Sequence, residues 1–226
     1  AAWGLTPSSR VVVVLMDGLG DAQLRDQAHR APFLQSLLGD GATLRTGFPA
    51  TTATSLASLG TGQSPGQTGL VGYTARSPWT GKLATLVSWT DADPPSKWQR
   101  APHLFAELAR STAVSRVGTA RFATSGLTAA ALNGGRYIGA DSGADRVDAA
   151  VHQLANPGLV YLYWGELDAI GHQEGWRSHS WTDALVELDR QLARLAELLP
   201  SGTQVVLIAD HGMVDVTERV ELTVSR

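Results

Sequence analysis

Unbroken β-branched runs alternate with amphipathic stretches along most of this chain. Val11–Met16 is a continuous apolar run closed by Asp17-Gly18, which predicts a strand buried on both faces. Two helical patterns follow, Ala22–His29 and Pro32–Gly39, the second with proline in its first turn and glycine at its end. Thr43–Phe48 is a candidate second strand, and a Thr/Ser-rich segment at Thr51–Leu59 leads into the turn-rich GTGQSPGQTGLVGY. Residues 74–101 are irregular, carry Trp79, Trp89 and Trp98, and predict an elaborated loop, lid or hairpin. The rhythm then resumes with helices near 102–110, 142–154 and 180–198 and strands at 113–118, 158–164 and 203–209. ERVELTVSR reads as a further strand, still in progress at the end.

Strands alternating with helices predict an α/β, three-layer fold, with a mostly parallel sheet and helices on both faces. With no internal repeat, low-complexity tract or linker, residues 1–226 read as one domain. A length of 226 residues is enough for a sizeable core, and 43% apolar with 17% charged residues fits a globular chain. The net charge of −3 and a pI near 6.1 give no electrostatic footprint for a nucleic-acid duplex or an anionic membrane. The absence of cysteine excludes disulfides, a thiolate zinc site and a cysteine nucleophile. No stretch reaches the length of a membrane span. AAWGLTPSSR lacks a basic segment followed by an apolar one, which slightly favours the cytoplasm and leaves open that the start is cut.

The polar residues that carry chemistry fall where strands end, the position at which open α/β sheets build their sites. Asp17 follows the first run; on its own it reads equally as an Asp-Gly turn. Asp210-His211-Gly212 repeats the arrangement after VVLIA, and a buried Asp-His pair needs a partner. Asp168 and His172 share a face if DAIGH is helical, and a tight turn or a surface salt pair reads as well. Thr51 and Thr52 precede a helix of small residues, where a hydroxyl caps the helix or meets an anion at its positive end. A metal at such a hydroxyl would lower its pKa and make it a nucleophile near neutral pH.

Taken in order, Asp17, FPATT, DAIGH and DHGM resemble the alkaline phosphatase superfamily, most closely its nucleotide pyrophosphatase/phosphodiesterase branch. The resemblance spans residues 11–214. It implies a phosphoester hydrolase with two divalent metal ions, zinc by the chemistry of the ligands. One ion would be held by Asp17, Thr52, Asp210 and His211, the other by Asp168, His172 and a late histidine. Thr52 would be the nucleophile, passing through a phosphothreonine intermediate. No histidine follows His211, so the chain is expected to be the front portion of a longer protein, incomplete at its C-terminus.

Where the family carries a histidine and a phosphoryl-binding asparagine, this chain has Thr68 and Tyr73. That makes Tyr73 the candidate substrate-binding residue and leaves the substrate class open. Diesters or pyrophosphates come first. A phosphomonoesterase would want added cations, for which only Arg45 and Arg76 stand near Thr52 in sequence, and a phosphonate hydrolase could use the same residues. A sulfatase is excluded, because no C/S-x-P-x-R occurs, and DGLGDAQL lacks the third glycine of a dinucleotide site. A non-catalytic metal- or phosphate-binding module is the rival of another class.

Overall fold

The computed structural model describes residues 5–39, 42–218 and 220. Its elements run, in chain order, β1 (Arg10–Met16), α1 (Asp21–Asp26), α2 (Pro32–Leu37), α3 (Thr52–Thr61), α4 (Pro65–Thr68), β2 (Thr74–Arg76) and β3 (Leu83–Thr85). There follow α5 (Pro95–Trp98), α6 (Leu104–Leu108), β4 (Ala113–Gly118), α7 (Gly126–Ala131), β5 (Arg136–Gly139), α8 (Gly143–Gln153), β6 (Gly158–Trp164), α9 (Glu166–Glu174), α10 (His179–Leu198) and β7 (Gln204–Ile208).

Five strands form one parallel sheet in the order β5-β4-β6-β1-β7. Alternation along the strands feeds two cores. Val12, Val14 and Met16 of β1 join Val160, Leu162 and Trp164 of β6 under α2, α8, α9 and α10. Leu15 and Tyr161 face the other way, toward α3, α6 and α7, with Ala53, Ala57, Phe105 and Leu127. Helices therefore cover both faces, as the sequence pattern predicts, and strands buried twice read as unbroken apolar runs for that reason.

Register sets the site. Met16 pairs with Trp164 and Leu15 with Ile208, so the residues just beyond β1, β6 and β7 emerge at one level. The longest helix, α10, starts on Ser178, whose hydroxyl accepts from the Trp181 N–H, and buries Trp181, Leu185, Leu188, Leu192 and Leu195 along one stripe.

Two expectations change. Thr43–Phe48 forms no strand: Leu44 and Phe48 are exposed, Phe48 at 97%, so the segment has no apolar face to bury and stays a coil. The Ala22–His29 pattern splits into α1 and a 3-10 turn at Ala28–Arg30. Within 74–101, β2 and β3 form an antiparallel hairpin, one of the forms expected there, and Trp79 and Trp89 pack edge-on against Trp98. The strand expected in ERVELTVSR falls almost wholly on residues 219 and 221–226, outside the described residues.

Candidate active site

Asp17 leaves the end of β1 and is only 1% exposed, its N–H donating to the Trp164 carbonyl at 2.8 Å. One residue on, Gly18 has φ +76° and donates its N–H to Asp210 Oδ1 at 3.2 Å. A carbon added at Gly20 would come to 2.6 Å from the Cα of Gly212, so two glycines allow the loops after β1 and β7 to touch. Asp210 is thereby brought beside Asp17, both buried.

Thr51 is the N-cap of α3, its side chain accepting from the Thr54 N–H, and Thr52 is the first residue of the helix. Of the two threonines, only Thr52 reaches the carboxylates. Its Oγ1 lies 3.4 Å from Asp17 Oδ1 and 3.1 Å from His211 Nε2. The helix is held there by Ser55, whose hydroxyl donates to the Asp210 carbonyl at 3.0 Å, alongside Thr46 at 2.9 Å. His211 Nδ1 is 3.0 Å from the Gly212 carbonyl, which can only accept, so Nδ1 carries the proton and Nε2 offers its lone pair.

DAIGH is helical: α9 carries Asp168 and His172 one turn apart, Nε2 lying 3.4 Å from Asp168 Oδ1. His172 is 72% exposed and open to the cleft. Gly18 sits against Asp168, which brings this third carboxylate next to the first two.

Three gathered carboxylates repel one another. Burial, then the charges of Asp210 and Asp168, hold the Asp17 carboxyl well above the usual range. Burial likewise pushes Asp210 up to about 6, against hydrogen bonds from Asp17 and from the backbone N–H groups of Gly18 and His211. Asp210 Oδ2 and Asp168 Oδ1 are buried with no hydrogen-bond partner. Oxygens left in that state fit a cation. Ligand atoms of Asp17, Asp210 and His211 lie within 4.8 Å of one another, a set of oxygens and one imidazole suited to a divalent ion.

A cleft of about 1050 Å³ opens over this cluster, lined by Thr52, Asp168, His172 and His211, by Tyr73, and by Val87 from the 74–101 segment. Tyr73 is 57% exposed there, whereas Thr68 is buried and bonds the Pro65 carbonyl within its own turn. Trp79, Trp89 and Trp98 do not line the cleft, and neither do Arg45 or Arg76. Among the described residues the arginine that does is Arg177, stacked on Trp176 at 4.2 Å. Sequence reading passed over it because its place depends on the turn at Gly175, where φ is +85°.

A parallel three-layer sheet with carboxylates, imidazoles and a helix-start hydroxyl at its strand ends defines a member of the alkaline phosphatase superfamily. More particularly, the chain belongs to the type I phosphodiesterase/nucleotide pyrophosphatase family, whose model matches residues 11–224. A search of curated proteins finds no match. Among solved structures, murine ectonucleotide pyrophosphatase/phosphodiesterase 5, as an inactive variant in complex with AMP, superposes with TM-score 0.68 at 19% identity over 90% of this chain. Phosphonoacetate hydrolase from Sinorhizobium meliloti 1021, in complex with phosphonoformate, gives 0.65 at 22% over 93%. This chain spans 57% of the length of each. At these identities the likeness is one of fold.

Proposed function

We propose that this chain carries the nucleophile-bearing part of a metal-dependent phosphodiesterase or pyrophosphatase acting on small phosphorylated substrates. The observation that carries the reading is the convergence of Thr52 Oγ1 on His211 and Asp17, beside carboxylate oxygens that have no partner. Without a cation these carboxylates would repel a phosphate. Asp17, Asp210 and His211, with Thr52, would hold one divalent ion, and Asp168 with His172 would contribute to a second; zinc fits the ligands. When bound, such ions neutralise phosphoryl charge and lower the pKa of a nearby hydroxyl.

In this reading Thr52 Oγ1 bonds to phosphorus in line with the ester or anhydride oxygen, which departs as the P–O bond breaks. His211 Nε2 and Asp17 Oδ1, 3.1 and 3.4 Å from Thr52 Oγ1, would share the ion with it, and the proton that Thr52 gives up passes to water in the open cleft. Water then displaces phosphorus from Thr52 and restores the hydroxyl. The start of α3 adds N–H groups and a positive dipole end under the phosphoryl oxygens. Tyr73, at the cleft wall, is the candidate hydroxyl donor to the substrate. Val87 of the 74–101 segment lines the same cleft, as part of a lid would.

Arg177 favours one second reading, since a cation in the cleft suits a substrate with another anionic group, such as a phosphonate bearing a carboxylate. Hydrolysis of bis(p-nitrophenyl) phosphate, p-nitrophenyl phosphate and phosphonoacetate, with zinc and after chelation, tests both. Diester turnover that chelator and Thr52→Ala abolish supports the first. Phosphonoacetate preference supports the second. Zinc binding without any turnover makes the chain a binding module and contradicts both.

A further inference from the structure

We infer that Tyr163 is a positioning residue for the metal site: its hydroxyl holds one oxygen of Asp17 and turns the other toward the ligand cluster. The inference rests on the metal reading above and adds a residue outside Asp17, FPATT, DAIGH and DHGM. Tyr163 is the penultimate residue of β6, opposite Leu15 of β1, so its ring leaves the sheet on the α3 side just below the site. Its hydroxyl donates to Asp17 Oδ2 at 2.6 Å. The other oxygen, Oδ1, is the one 3.4 Å from Thr52 Oγ1 and 3.4 Å from His211 Nε2.

The ring is fixed by its surroundings. Phe122 meets it edge-on with centroids 5.8 Å apart. A carbon added at Gly165 would come to 2.7 Å from the Tyr163 hydroxyl oxygen, and one at Gly118 to 3.4 Å from its Cβ, so glycines wall the slot. A phenol held this tightly gives the carboxylate a single orientation. A short O–H···O⁻ bond to an ionised acceptor is among the stronger hydrogen bonds, and outer partners of this kind set both ligand geometry and metal affinity.

Tyr161 supplies the control. It lies two residues earlier on the same face of β6, is buried where Tyr163 is half-buried, and its hydroxyl has no partner. Both tyrosines are replaced by phenylalanine, and zinc affinity of the chelator-treated full chain is read by competition with a chromophoric chelator, with far-ultraviolet circular dichroism as the check on folding. Tyr163→Phe is expected to weaken zinc binding roughly 10- to 100-fold, and Tyr161→Phe less than about twofold. Unchanged affinity in Tyr163→Phe, or equal losses in both variants, overturns the inference. No zinc binding by the wild-type chain overturns the metal reading itself, and the inference with it. Should Tyr163→Phe fail to fold, ζ-carbon-labelled tyrosine in the wild type reports the hydroxyl by nuclear magnetic resonance. An exchange-protected phenolic proton at Tyr163 before and after zinc is expected, and its loss on zinc binding contradicts the inference.

Discussion

Gly18 lies so close to Asp168 that a carbon added there would come to 3.1 Å from the Asp168 Cα. The turn after β1 and the first turn of α9 are thus packed backbone to backbone, and Asp17 and Asp168 share one small volume as a result. The same residue has φ +76° and feeds its N–H to Asp210, so three of the site's carboxylates depend on it.

Gly18→Ala is therefore expected to do two things. The positive φ costs about 1–2 kcal/mol in any alanine variant. Displacement of Asp168 adds to this and weakens zinc binding. Gly202→Ala is the matched control, with φ +78° and open space around it. Urea unfolding and zinc titration of both should show a stability loss in each and an affinity loss only in Gly18→Ala.

Arg146 is 1% exposed, and its guanidinium grips Glu166 through two bonds of 2.6 and 2.9 Å while also donating to the carbonyls of Ala140 and Asp141. Glu166 opens α9, so this pair anchors the helix that carries Asp168 and His172. Arg146→Met is expected to cost about 1–3 kcal/mol, since it leaves the Ala140 and Asp141 carbonyls without their donor, while Glu166, 42% exposed, can turn to water. Glu166→Gln, which keeps hydrogen bonding, should cost less. Chemical unfolding measures both, and equal costs contradict the anchor.

Metal-free protein should respond to pH in an unusual direction. Asp210 is pushed from 3.8 up to about 6, so the folded state binds its proton more tightly than the unfolded state does. Its contribution is present at low pH and is lost as pH rises through that window, by about 3 kcal/mol for this one group. Thermal midpoints of chelator-treated wild type and Asp210→Asn, from about pH 4 to about pH 7, should diverge in favour of the variant as pH rises. With zinc present the wild type should regain the advantage. A gap that stays constant with pH would argue against carboxylate crowding.

Arg177 is stacked on Trp176 at the cleft wall. Arg177→Ala is expected to raise KM about tenfold for substrates with a second anionic group and to leave kcat near the wild-type value. Bis(p-nitrophenyl) phosphate, which lacks such a group, should be little affected. A fall in kcat for both would assign Arg177 to the reacting centre instead.

The sheet interior and the positions of the chemistry were legible because both depend on local pattern. β1 and β6 are buried on two faces and so read as apolar runs, half-buried β7 is apolar enough to read the same way, and a charged residue soon after such a run marks a strand end. β5 was not legible: Arg136–Gly139 is a short edge strand with no alternation to reveal it. DAIGH stood open between helix and turn until Arg146 and the packing of Leu167 fixed it as helix. Tyr163 reads in sequence as one more aromatic in a strand, since its bond to Asp17 depends on register between strands 146 residues apart. Thr43–Phe48 misled because β-branched and apolar residues were present without a face to bury.

The central claim is that Thr52 is the group to which phosphorus is transferred. Rapid acid quench of the zinc-loaded protein during diester turnover, followed by peptide mass spectrometry, tests it directly. Phosphate on Thr52, lost in Thr52→Ala and absent from Thr51, is the predicted result. Turnover without any phosphorylated Thr52 peptide, or phosphate on another residue, would contradict it.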